Sequence, residues 1–319
     1  MNFQNMEYFL AVARNRNITR AAEELGISQQ ALSNQIARIE QELNCTLFNR
    51  KRNFELTASG KLFYDSSMRI LDINRQTESA INDVNANKRG ELKIGISHTR
   101  GQAVLPLLLP EFAKKYPLVN LTVVEGSTKE LEEELEKGGI DVMIGYAPFL
   151  LESAVQIELM QEHLFLVVPK SLLKERFGDK ADSICKQYRK EPDLRIFKDF
   201  PFVLLKEGDR IRTIVDQEFY AYGIAPEIKI ETDNIQTSFS LVSEGIGLGI
   251  YPELYLNSPY ILFGNPDSEM RKKVEVFRFC KVDARDSITI AIGYNEERYL
   301  SKIAKDFIRL SESKFKKLQ

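Results

Sequence analysis

The sequence is poor in the residues that build metal centres and disulfide scaffolds. Its three cysteines, Cys45, Cys185 and Cys280, are far apart and odd in number. That pattern argues against a disulfide framework, fits a reducing cytosol and matches no zinc-ligand spacing. Only two histidines, His98 and His163, are available, so no His/Cys metal cluster is expected. No apolar run reaches the roughly eighteen residues a membrane-spanning helix needs, and the first residues lack the basic-then-apolar layout of a secretory signal. Net charge is also scarce: the chain carries −2 at pH 7 with a pI near 6.0. A nucleic-acid binder is often basic overall, so any DNA-binding surface here must be local. The first sixty residues hold seven Lys/Arg against six Asp/Glu, and three of those cations are consecutive, Arg50, Lys51 and Arg52.

Enzymatic signatures are missing too. The glycine run Gly245–Gly249 has neither a P-loop pattern nor a dinucleotide-binding context, and reads as a site of close strand packing. Gly95-Ile96-Ser97-His98-Thr99 lacks the second glycine of a nucleophile elbow. Neither a cofactor nor catalysis is expected.

What is present is length and two kinds of periodicity. At 319 residues, with 43% hydrophobic and 28% charged residues, the chain has material for more than one soluble domain. Residues 1–57 read as short helices with tight turns. Met6, Phe9, Leu10 and Ala13 form one apolar stripe. Ala21, Ala22 and Leu25 mark a second helix stopped by Gly26. Ser28 is a good N-cap for a third, whose buried stripe is Leu32, Ile36, Ile39 and Leu43. Asn44 follows and tolerates the left-handed backbone of a helix end. Residues 50–57 read as a small wing. Thr57 caps a long helix over about 58–87, with Phe63, Ile70, Thr77, Ile81 and Val84 near a 3.5-residue repeat that asks for a partner helix. Residues 88–90 are a hinge. From Glu91 strands and helices alternate, which predicts an α/β region with mostly parallel strands, a charged insertion over 170–198, a final helix starting near Glu296 and a solvated tail over 306–319.

On spacing alone, residues 18–43 are either a DNA-reading helix-turn-helix or a three-helix packing module with a solvated polar face. The polar face of the third helix carries Gln29, Gln30, Ser33, Asn34 and Arg38, of which amides pair bidentately with adenine and hydroxyls reach base edges or phosphates. Ser28 and Gln29 place amides toward phosphate. Arg50 and Arg52 suit phosphate or the minor groove.

The stretch from Ala21-Ala22-Glu23-Glu24-Leu25 through Ser28-Gln29-Gln30-Ala31-Leu32-Ser33-Asn34-Gln35-Ile36, then Leu47-Phe48-Asn49-Arg50 and Leu56-Thr57-Ala58-Ser59-Gly60, resembles the LysR-type transcriptional regulators without gaps. The resemblance implies DNA contacts at Gln29, Ser33 and Asn34 and at the wing arginines. Three departures stand out: Asn34 replaces a usual arginine, Gln30 a frequent proline and Asn44 a common glycine. The implied fold is an α+β multidomain chain: a winged helix-turn-helix (1–57), a dimerisation helix (58–87) and a two-lobed, periplasmic-binding-protein-like effector domain (91–305). Its lobe one is expected at 91–168 and 277–305 and its lobe two at 170–273. Two strands cross between them near Val168–Lys170 and Val274–Val276.

The implied cleft lies at strand C-termini and helix N-termini, where backbone amides favour anions. Its candidate residues are Ser97, Thr99 and Arg100 after the first strand, Ser127 and Thr128 after the second, and Lys206, Thr232 and Asn234 in lobe two. Ser127, Thr128 and Asn234 are equally well placed simply to cap helices, and His98 is either a pH-sensing or ligand-binding group or a bystander. The implied activity is sequence-specific regulation of transcription from the cytoplasm. Its expected partners are double-stranded promoter DNA, a small anionic effector, further copies of the chain as dimer or tetramer, and RNA polymerase. The rival readings are a cytosolic enzyme or solute binder with an N-terminal docking module, and an architectural DNA binder that needs no ligand.

Overall fold

A computed structural model describes residues 1–49, 54–85, 89–261, 264–265, 267–279 and 287–318, apart from the Thr99 side chain. The chain divides into two compact units, one made of Met1–Asn87 and Glu136–Gly139, the other of Lys88–Leu135 and Ile140–Gln319.

In the first unit, three short helices pack around Phe9. Helix α1 (Phe3–Asn15) is capped by the Asn2 side chain, which accepts from the Asn5 amide. Helix α2 (Ile18–Leu25) ends at Gly26, whose φ of 66° is the left-handed stop that glycine adopts without strain. Helix α3 (Gln29–Glu42) starts at Ser28, whose hydroxyl accepts from the Ala31 amide at 3.1 Å. The small Ala21 and Ala22 are buried, as are Leu32, Ile36 and Ile39. Leu43, expected in that stripe, is instead 39% exposed because the helix has already ended beneath it, and Asn44 turns left-handed at φ 51°.

Strands β1 (Phe48–Asn49) and β2 (Glu55–Leu56) pair antiparallel as the base of the wing. Glu40 anchors this entry, accepting from the amides of Leu47 at 2.7 Å and Phe48 at 3.3 Å. The ring of Phe9 stands 5.0 Å from Phe48 and 4.7 Å from Phe63, so the wing and the next helix share one aromatic core. That helix, α4 (Ala58–Val84), is N-capped by the Thr57 hydroxyl at 3.0 Å from the Gly60 amide. Met68 and Leu71 still pack against this core, whereas Leu62, Ile70, Ile73, Ile81 and Val84 are exposed in the single chain.

The second unit begins with β3 (Arg89–Ile96), α5 (His98–Lys115), β4 (Leu118–Glu125), α6 (Thr128–Lys137) and β5 (Val142–Tyr146). Strand β3 pairs parallel with both β4 and β5. Strand β6 (Ala154–Pro169) leads to α7 (Lys170–Phe177) and α8 (Ala181–Lys190), then β7 (Pro201–Leu205), α9 (Arg210–Ala221), β8 (Glu227–Thr232) and α10 (Ile235–Ser243). Next come β9 (Gly249–Pro252), α11 (Glu253–Asn257), α12 (Glu269–Lys272), β10 (Val274–Arg278), β11 (Ser287–Asn295) and α13 (Lys302–Phe315).

The sheet is mixed, not mostly parallel as expected. Strand β11 runs antiparallel to β5 and β6, and β6 runs antiparallel to β9 and β10. The cause is β6 itself. Its residues 154–163 pair with β11 and its residues 164–169 with β9 and β10, so one strand serves both lobes. The changeover thus falls at His163–Leu164, earlier than the expected Val168–Lys170. Strand β10 still pairs within lobe two, which moves the return crossing beyond Val276. Gly247 fits the close packing expected of the glycine run: a Cβ there would stand 2.7 Å from the Pro201 carbonyl oxygen.

Two further expectations are corrected. The final helix begins at Lys302 rather than near Glu296, and residues 306–315 are no tail: Phe307, Ile308, Ser311 and Phe315 are buried, and Lys314 pairs with Glu111 at 2.6 Å. The insertion folds as well, burying Cys185, Tyr188, Leu194 and Phe197.

Gly60 gives a sharp test of the first unit. A Cβ at this position would stand 2.1 Å from the Leu47 carbonyl oxygen, and backbone cannot yield as a side chain can. Gly60→Ala is expected to destabilise the unit by about 1–3 kcal/mol, measured by urea unfolding of the intact protein; a neutral effect would contradict this packing.

Candidate functional site

Two sites emerge from the sequence candidates, one in each unit. In the first, helix α3 buries Leu32, Ile36 and Ile39 and turns the opposite face outward. Ser28, Gln29, Gln30, Asn34 and Arg38 are exposed and Ser33 is half-buried beside them. Helical periodicity forces this division. Arg38 is held by Glu42 at 3.2 Å, an i, i+4 pair at the surface, so its charge is partly neutralised. The Ser28 hydroxyl is taken up in capping. Arg50 and Arg52 lie outside the described residues.

In the second unit, helices α5, α6 and α9 begin around a cleft of about 490 Å³. Ser97, Arg100, Ser127, Thr128 and Lys206 all line it. Thr232 and Asn234 are not among its lining residues. Asn234 caps α10, accepting from the Gln236 and Thr237 amides, and Thr232 accepts from the Asn234 amide at 3.1 Å. Ser127 also caps: its hydroxyl and amide both donate to Glu130 at 2.8 Å, a capping box. Ser97 differs. It occupies the N-cap of α5 but its hydroxyl makes no capping bond, which leaves it and the first-turn amides without a side-chain acceptor. Lys206 pairs with Asp233 at 3.2 Å, and His98 stands 3.2 Å from Glu125.

Arg100 is the feature that most exceeds the sequence reading. It is only 5% exposed. Its guanidinium lies 3.6 Å over the Tyr146 ring, and its Nη2 is 3.5 Å from Glu162 Oε1, at the far limit of a hydrogen bond. Its Nη1 is buried with no hydrogen-bond partner. Glu162, itself 1% exposed, accepts from the Tyr146 hydroxyl at 2.7 Å on one oxygen and from the Leu254 amide at 3.1 Å on the other. Burial pushes the Glu162 carboxyl above the ordinary glutamate range, opposed by Arg100 and by the hydrogen bonds from Tyr146 and Leu254. Asp209, on the lobe-two wall, is likewise raised by burial, opposed by the amides of Ile211 and Arg212 and by the charge of Arg100. Leu131, Met143, Ile144, Leu205 and Ile211 supply an apolar wall. Tyr146, Glu162 and Asp209 were not legible as site residues, since nothing local marks them.

Among the described residues no His/Cys/Asp/Glu group is arranged to hold a metal, and no helix is long and apolar enough to cross a membrane. Cys45 and Cys185 are free thiols.

Comparison with known proteins matches the two parts of the chain to two domain families. Residues 3–61 match the family described as bacterial regulatory helix-turn-helix protein, lysR family, and residues 85–316 match the LysR substrate binding domain. The uncharacterised HTH-type transcriptional regulator YcgK of Bacillus subtilis is 29% identical over 99% of this chain and 95% of its own length. A probable RuBisCO transcriptional regulator of Trieres chinensis is 32% identical over 76% of this chain and 78% of its own. The fold is similar to full-length CbnR, solved in complex with its target DNA, at TM-score 0.67 and 23% identity over 98% of this chain and 100% of that one. Full-length OxyR from Pseudomonas aeruginosa superposes at TM-score 0.67 with 22% identity, covering 99% and 97%.

The Glu162 cluster has a pH signature. A carboxyl raised by folding holds a proton that the unfolded chain releases, so stability declines as pH rises from the ordinary glutamate range through the raised one. Tyr146→Phe removes a donor to the carboxylate and raises Glu162 further. Expected is a loss of about 1–3 kcal/mol at neutral pH and a smaller loss at acid pH, where Glu162 is protonated in both proteins. Urea unfolding at the two pH values checks this; an equal loss at both would show that Tyr146 does not stabilise the carboxylate.

Proposed function

The chain belongs to the LysR family of transcriptional regulators, and from that premise we propose that it is a ligand-gated, sequence-specific regulator that works as a self-associated assembly. It is a DNA-binding transcription regulator with an effector-binding domain, and its relatives are regulators rather than enzymes. The finer reading is that a small anionic metabolite occupies the cleft lined by Ser97, Arg100, Ser127, Thr128 and Lys206. The observation that carries it is the convergence of those groups, drawn from the starts of α5 and α6 and from the turn after β7, on one cavity.

Recognition of promoter DNA falls to α3. Gln29 and Ser33 stand on its outward face near the N-terminus, where a recognition helix meets base edges. Asn34 supplies an amide where relatives carry a cation, so readout there favours hydrogen bonding over phosphate attraction. Self-association is supported by α4. Its 27 residues span about 40 Å and leave Leu62, Ile70, Ile73, Ile81 and Val84 exposed, a stripe that a second copy of the helix would cover. Pairing two recognition helices doubles the contact and compensates for a DNA-binding unit with almost no net positive charge. Dimers associating into a tetramer, a cytoplasmic site of action and contact with RNA polymerase complete the reading. Effector occupancy regulates only if the ligand binds two arrangements of the assembly unequally.

Gln29→Ala is expected to weaken binding to the operator by about 1–3 kcal/mol while leaving non-specific DNA almost unaffected, measured by fluorescence anisotropy on upstream and scrambled duplexes. Equal weakening on both would remove Gln29 as a base reader. Absence of any sequence-selective binding by the wild type would overturn the regulator reading for this chain.

A further inference from the structure

Among the described strands, β10 has a single neighbour, β6, and so ends the sheet on that side. Its ladder bonds run through the odd positions: the Phe279 amide donates to the Leu164 carbonyl at 3.0 Å, and the Lys273 carbonyl accepts from the Lys170 amide at 2.9 Å. Antiparallel pairing alternates, so the N–H and C=O groups of Val276 and Arg278 turn to the unpaired side, where no described strand meets them. Such an edge is a template for a further strand. A cavity of about 480 Å³ lies beside it, bordered by Val276, Phe277 and Arg278 and by residues 188–192 of the charged insertion. It shares no described lining residue with the cleft. Arg189 is already committed there, paired with Glu275 and standing 5.0 Å over the Phe277 ring. Arg278 differs: among the described residues it makes no ion pair, and its Nη1 is buried with no hydrogen-bond partner. A charge that merely guards an edge against aggregation keeps its head group in water, and a shielded N–H without an acceptor is costly.

We propose that the β10 edge is a docking groove in which an extended, acidic segment of a partner protein adds as a further strand, with a carboxylate on Arg278. In such an addition main-chain bonds supply affinity and side chains supply selectivity. Donors and acceptors alternate along Val276 and Arg278, a pattern that a peptide backbone matches and a simple anion does not. Arg278 then selects an acidic side chain placed opposite it. Lys190, exposed at the end of α8, adds positive charge, against Glu191 as the one acid among the described lining residues. The charged insertion thereby acquires a task, as the second wall of the groove.

The test uses the full-length protein and a fluorescein-labelled peptide, Val-Thr-Val-Glu-Val. Fluorescence anisotropy is expected to show saturable binding, about tenfold weaker for the analogue with Gln in place of Glu. N-methylation tells the two edges of the peptide apart. Methyl groups on its even or its odd amides block opposite edges, so one pattern should abolish binding and the other leave it nearly intact. Arg278→Gln should erase the preference for the acidic peptide, and Arg278→Lys, which keeps the charge, should retain most of it. No binding of the acidic peptide, equal loss from both methylation patterns, or an unchanged preference in Arg278→Gln overturns the proposal. Displacement of the peptide by an equal concentration of acetate would make this a small-anion site and overturns it too. Sedimentation velocity tests the remaining occupant. Chains that self-associate through this edge, and come apart with the peptide or with Arg278→Gln, would place a second copy in the groove and overturn the acidic partner.

Discussion

Strand β6 hydrogen-bonds to β11 along residues 154–163 and to β9 and β10 along residues 164–169, and this shared pairing constrains the whole effector domain. Because the strand is continuous, the lobes cannot drift apart. The changeover at His163–Leu164 ties one to the other. Any side chain planted there feels both lobes at once, and the side chain is Glu162. A buried carboxylate needs donors on every side, and the fold supplies them from Tyr146, Arg100 and Leu254. The cleft, the hinge and the buried charges are consequently one physical system.

The DNA-binding unit follows a different logic. Its core is small, built on Phe9, Phe48 and Phe63, and its register is set by caps: Asn2, Asn17, Ser28 and Thr57 each receive backbone amides at a helix start. These local bonds hold α3 so that its polar face is presented without help from net charge. On the proposed reading, geometry and the pairing of two copies supply the affinity that bulk attraction to phosphate does not.

The contrast explains what could be read from the residues. Gly26, Ser28, Asn44 and Thr57 act on neighbours a few positions away, and each was visible in the chain as a stop or a cap. Ser97 and Ser127 were visible as helix-start hydroxyls, and both line the cleft. What depended on distant partners was not visible. Arg100 is adjacent to a helix start, where a cation can equally turn to solvent; its burial comes from Glu162, sixty-two residues on. The first half of β6 is only partly buried and carries little of a strand's apolar signal, so the residues place the crossing near Val168–Lys170 rather than at His163–Leu164. The solvated tail expected over 306–319 fails for a related reason: Phe307, Ile308 and Phe315 pack into a core whose other members are distant in the chain. Thr232 and Asn234 occupy the chain position of cleft residues, yet their local bonds commit them to the α10 cap.

The most direct measurement is a crystal structure of the intact protein bound to a duplex that carries its operator. The expected result is two chains paired along α4, each placing α3 in a major groove with Gln29 and Ser33 at base edges. A complex in which α3 stands clear of the bases, or a single chain bound with its α4 stripe uncovered, would contradict it.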